Sequence, residues 1–154
     1  YFPDRPAWEA FLATRLGPEP WDMTVEEWRA ALKATKRPVK AVLMDQTVVA
    51  GVGNIYADEA CFAARIDPRC AGNRLKPAGA DRLLRSLRTV LTRAIESGGS
   101  SIRDYVNGAG EPGGFQMEFA VYGRPGEACI NCGRKIKSVR IGGRSTHYCP
   151  RCQK

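Results

Sequence analysis

Four cysteines in two CxxC pairs constrain this chain more than any other feature. Cys129-x2-Cys132 and Cys149-x2-Cys152 are separated by 16 residues. Each CxxC lets two thiolates reach one ion from a tight turn, and the spacing matches a four-cysteine ribbon around a single structural Zn2+. A redox CxxC is the competing reading; it explains one pair, and no βαβ pattern surrounds either. Between the pairs, "KIKSVRIGGRSTHY" alternates as two short strands with Gly142-Gly143 as the hairpin turn. Four thiolates complete a tetrahedron, so His147 reads as a strand residue, and the metal keeps no open position for catalysis. Cys61 reads as a small buried apolar residue. Cys70 has no evident partner except Cys61, and a bond between them is the alternative.

Upstream of the ribbon the pattern is helical. "AWEAFLATRLG" (7–17) reads as a short helix between prolines, stopped by Gly17. Thr24 to Glu27 is a T-x-x-E capping box that opens a helix to about Ala34, with Trp28 and Leu32 on its inner face. "KATKRPVK" (33–40) is a basic linker, and Pro38 marks the next helix start. In "GVGNIYADEA" (51–60) two glycines directly precede a helix beginning at Asn54 and ending before Asp67-Pro68. Two readings suit those glycines: a tight turn between packed helices, or a backbone left open to an anion at a helix N-terminus. In "GADRLLRSLRTVLTRAIESGG" (79–99), Leu83, Leu84, Leu87, Val90, Leu91, Ala94 and Ile95 form an apolar stripe facing the core. "NGAGEPGG" (107–114) is a glycine-rich loop. The expected architecture is mainly α: a helical domain over 1–106, a loop and connector over 107–120, and a β-hairpin zinc ribbon over 121–154.

Charge adds a partner class. The net charge is +8, and residues 101–154 carry 9 basic against 4 acidic side chains. Such an excess suits a polyanion, while solubility alone is the plainer reading. Arg144 directly follows the turn glycines, where a rigid tip can place a guanidinium against phosphate or simply in solvent. No apolar run reaches the roughly 18 residues of a membrane span and no signal-peptide pattern opens the chain, so it reads as soluble and intracellular, with no membrane partner. Position 1 is Tyr rather than Met, so a segment upstream is expected.

Three stretches carry more than spacing. "LMDQTVVAGVGNIYADEACFAARIDP" (43–68), "GEPGGFQMEFAVYGRPGEAC" (110–129) and "CGRKIKSVRIGGRSTHYCPRCQK" (132–154) closely resemble, in order, the C-terminal half of the formamidopyrimidine-DNA glycosylase and endonuclease VIII family. The resemblance implies a helix–two-turns–helix domain plus a zinc finger that together grip damaged double-stranded DNA in base excision repair. It implies phosphate contacts for Asn54, Lys36 and Arg144, with Lys40 beside the linker lysine, and assigns Arg144 to the family's final elimination step. It further implies a monomer working in the bacterial cytoplasm, on the nucleoid. The loop at 107–114 resembles the one covering an extruded oxidised purine, but Gly114 stands where relatives usually carry an aromatic residue. The family's proline nucleophile, the glutamate after it and a lysine from a β-sandwich have no counterpart in these 154 residues; Pro3 is an internal imide without a basic amine. The expectation is therefore a zinc-dependent DNA grip without glycosylase activity of its own. The alternative is a portion of an active bifunctional glycosylase and AP lyase acting on oxidised purines.

Overall fold

Thr24 starts the first helix as the capping box predicts: its hydroxyl accepts the Glu27 N–H, and the Glu27 carboxylate accepts the Thr24 N–H. The structure, a computed structural model, describes residues 16–96 and 119–154. Among these, α1 spans Val25–Lys33, α2 Val39–Leu43, α3 Asn54–Ala64 and α4 Pro77–Glu96. A 3-10 turn at Gly72–Arg74 precedes α4, and the strands β1, Lys137–Ile141, and β2, Arg144–Tyr148, close the chain. The helix expected over 7–17 and the loop 107–114 with Gly114 lie outside the described residues, apart from Leu16 and Gly17.

Two apolar clusters divide the interior. The larger joins Trp28 and Leu32 of α1, Val39, Val42 and Leu43 of α2, the small face of α3 and the stripe of α4. Burial of each Leu in it stabilises the fold by about 1.5–3 kcal/mol. Trp28 is fully buried and donates its Nε1–H to the Ala80 carbonyl, so its polar edge is satisfied across 52 residues of sequence. The smaller cluster gathers Val121, Cys129, Ile136 and Cys149 around Phe62 of α3.

Helix α3 serves both clusters. Ala57, Ala60, Cys61 and Ala64 face the helical core, while Asp58, Glu59 and Phe62 face the zinc module; all seven are buried. It ends in a Schellman arrangement, with Arg65 left-handed at φ 60° and the Ile66 N–H returning to the Cys61 carbonyl. Cys61 and Cys70 are both free thiols.

Ile95 departs from the expected stripe: it is 65% exposed. It lies one turn beyond Leu91, the last α4 residue in the larger cluster. The periodicity of the helix outruns the core it packs on.

Candidate zinc and phosphate site

The hairpin is built by its turn. Gly142 and Gly143 have φ of 57° and 78°, the left-handed pair that a two-residue type I′ turn demands. This sets the antiparallel register from Ile141 opposite Arg144 to Lys137 opposite Tyr148. Arg144 therefore stands at the exposed tip, and Cys149 follows the strand at its base.

All four expected thiols converge at that base, their sulfurs within 4.8 Å of one another. Cys129 and Cys152 Sγ are 3.8 Å apart, Cys132 and Cys149 Sγ 3.4 Å. A tetrahedron with Zn–S near 2.3 Å has an edge of about 3.8 Å, so the thiols fit one zinc ion. The Asn131 N–H points at Cys129 Sγ and the Cys152 N–H at Cys149 Sγ, each at 3.4 Å, stabilising negative sulfur. Burial opposes ionisation of Cys129, but the N–H groups of Asn131 and Cys132 and the neighbouring thiols outweigh it and bring this thiol to about 7. Cys152 is pushed up to about 12, first by burial and then by the surrounding thiols. A bound dication takes all four as thiolates and removes that mutual repulsion.

At the other end of the hairpin, Asn54 meets the residue that follows Arg144. Gly53 caps α3 in extended backbone, and no side chain caps the helix. Asn54, its first residue, donates Nδ2–H to the Ser145 carbonyl at 3.1 Å, beside Arg144. Gly51 is left-handed at φ 86°, which requires glycine, whereas Gly53 has an ordinary φ of −94°. A Cβ built on Gly53 would meet nothing within 4 Å. Both readings of the glycines thus keep support: Gly51 makes the turn, and Gly53 leaves space outside the chain.

Two expected phosphate ligands behave differently. Lys36 is exposed on the loop between α1 and α2, lining an open groove of about 890 Å3 with Asp67, Arg69, Arg74 and Lys154, to which neither Asn54 nor Arg144 contributes. Lys40 is corrected: it is 1% exposed, not a surface cation. Its Nζ donates to Thr146 Oγ1 at 2.7 Å and to the Ser145 carbonyl at 3.0 Å, and it forms an ion pair with Asp58 Oδ1 at 2.8 Å, all inside the protein. The sequence shows a basic run through 40, but α2 turns this one member inward.

No sequence motif above assigns a role to Asp58, Glu59 or Gln153. Asp58 Oδ2 accepts the His147 N–H at 3.0 Å and lies 3.2 Å from His147 Nδ1. Burial raises the Asp58 carboxyl above its ordinary range, against the lowering effect of Lys40 and His147. Glu59 accepts three backbone N–H groups, from Ala120, Val121 and Tyr122, at 2.7–2.9 Å. Gln153 accepts the Cys149 N–H and donates to the Ile66 carbonyl, tying the metal loop to the end of α3. The available signal was two adjacent carboxylates inside an otherwise apolar helix, which buried helices tolerate only when partnered.

With this geometry in view, relatives are informative. Residues 16–106 match the "Formamidopyrimidine-DNA glycosylase H2TH domain" and residues 126–154 the "Zinc finger found in FPG and IleRS". The formamidopyrimidine-DNA glycosylase of Solibacter usitatus is 49% identical over 140 residues, covering 91% of this chain and 53% of that protein. The Thermomicrobium roseum glycosylase is 48% identical, covering 97% of this chain and 53% of that protein. The MutM (Fpg) structure from Thermus thermophilus superposes with a TM-score of 0.82 at 48% identity, covering 94% of this chain and 56% of that one. A Lactococcus lactis Fpg variant in complex with Fapy-dG-containing DNA gives 0.83 at 39% identity, covering 96% and 55%. The chain spans about half the length of the curated relatives it matches. It belongs to the formamidopyrimidine-DNA glycosylase family.

Proposed function

We propose that these residues form a zinc-dependent grip on damaged double-stranded DNA, without glycosylase activity of their own. The observation that carries this reading is the Asn54–Ser145 hydrogen bond. It joins the positive end of α3 to the hairpin tip, so an amide, a helix N-terminus and the Arg144 guanidinium bear on one region, and that combination suits a phosphate. Lys36 adds a cation from the linker. Zinc supports the grip by fixing the base of the hairpin and does no chemistry. Damaged DNA as ligand is carried over from relatives solved with Fapy-dG or abasic-site DNA. Action as a monomer in the bacterial cytoplasm belongs to the same proposal; among the described residues no helix is long and apolar enough to cross a membrane.

Fluorescence anisotropy on a duplex bearing an abasic analogue tests the reading. Binding should weaken steeply between low and moderate salt, and Arg144→Gln should lower the salt slope by about 1. Salt-independent binding, or none at low salt, refutes it. A second reading is favoured by the twofold length of the relatives: joined to the family's proline-bearing half, the same residues serve a glycosylase and AP lyase. Borohydride trapping on oxidised-guanine DNA should yield a covalent adduct from such a joined protein and none from the 154 residues alone.

A further inference from the structure

The metal holds only one end of the hairpin. Cys149 lies at the base, and the five residues of β2 carry the chain about 17 Å away to the tip. A two-stranded ribbon is marginally stable by itself, so a tip standing free of its base would pivot. In this protein the tip is held from beneath by the buried Lys40 and Asp58 as well as by Asn54 at its edge.

Three anchors converge on the two residues after Arg144. The Ser145 carbonyl accepts from both Lys40 Nζ and Asn54 Nδ2, and Thr146 Oγ1 lies 2.7 Å from the same Lys40 nitrogen. Asp58 pairs with Lys40 and holds the next residue through the His147 N–H. Lys40 comes from α2 and Asp58 from α3, so the tip is referenced to two helices at once. A buried ion pair is seldom the most stabilising way to fill such a space; an apolar pair of equal volume often does as well. An apolar pair, however, cannot direct hydrogen-bond donors to the Ser145 carbonyl and Thr146 Oγ1.

We propose that Lys40 and Asp58 are positioning residues for Arg144: they set where its guanidinium stands relative to the N-terminus of α3, without touching DNA. The inference rests on the reading of Asn54 and Arg144 as phosphate contacts.

A double-mutant cycle on the zinc-loaded chain tests it, with the abasic-analogue duplex as probe. Lys40→Met should weaken binding about tenfold in the parent but less than about twofold in an Arg144→Gln background, because it acts through that side chain. Thr146→Val should follow the same pattern, and Thr146→Ser, which keeps the oxygen, should restore parent affinity. If Lys40→Met does not fold, the Thr146 pair carries the same cycle. Equal losses in both backgrounds overturn the inference, since Lys40 would then act independently of Arg144. If Arg144→Gln leaves affinity unchanged, its assignment as a phosphate contact fails first and the inference with it. If the parent chain does not bind DNA, the proposed function fails.

Discussion

Glu59→Gln should loosen the zinc module from the helices while leaving the metal site itself unaltered. In the folded protein Glu59 Oε1 takes the Ala120 N–H, and Oε2 takes those of Val121 and Tyr122. A glutamine has one acceptor oxygen. Placed at the Oε2 position it keeps two bonds in weaker, neutral form, and its amide then confronts the Ala120 N–H donor to donor. Hydrogen bonds to a charged group contribute about 1.5–3 kcal/mol each, so one lost bond and two weakened ones amount to about 2–4 kcal/mol. With an m-value near 2 kcal/mol/M in urea, the midpoint should fall by about 1–2 M. Urea titration of the zinc-loaded protein, followed by far-ultraviolet dichroism and by zinc release to a chromogenic chelator, reads this directly. A midpoint shift below about 0.3 M would show that the three N–H groups find water as readily as the carboxylate, and the reasoning would fail.

Other perturbations separate the parts. Stripping the metal with a chelator should unfold the hairpin and abolish DNA binding while most helical dichroism remains, because the cluster around Trp28 contains no residue of the zinc module; loss of the whole helical signal in one transition would contradict this. Gly51→Ala should cost about 1 kcal/mol or more from its positive φ. Gly53→Ala should be neutral in thermal unfolding yet weaken DNA binding, as its added methyl meets only the space beyond the chain; unchanged affinity would remove Gly53 from the interface. Asp45 is held below the ordinary carboxylate range by the Thr47 hydroxyl, and Arg37 adds to this. Its folded value is the lower one, so its contribution is present well above pH 3.8 and lost as pH falls. Asp45→Asn should flatten that part of the acid-unfolding curve, checked by comparing the two proteins between pH 5 and 2.

What could be read from the residues was local. The CxxC spacing, the paired glycines of the turn, the Thr24–Glu27 box and the stripe of α4 each announce themselves within a few positions, where one period or one turn type decides. Contacts between distant segments leave no such trace. Lys40 and Thr146 are 106 residues apart, Glu59 and Ala120 61, and Gln153 and Ile66 87. Lys40 looked like one more cation in a basic run because its acceptors lie on a strand folded back from the far end of the chain. The partners of Asp58 and Glu59 are equally remote, at His147 and at Ala120 to Tyr122. Ile95 erred the other way: its periodicity was right, and only the extent of the core was missing.

The division into two apolar clusters has a consequence for how the protein is made. Among the described residues the larger cluster is complete in sequence by Leu91, whereas the last cysteine is residue 152. At synthesis rates of about 5–20 residues per second, some 3–12 s separate the two. During that interval Lys40, Asp58 and Glu59 should face water, where charged side chains are at ease. Lys40 and Asp58 should lose hydration when the finished hairpin closes over α3, and Glu59 when residues 120–122 dock on it. Metal capture should thus come late in biosynthesis, together with the docking that dries the charges.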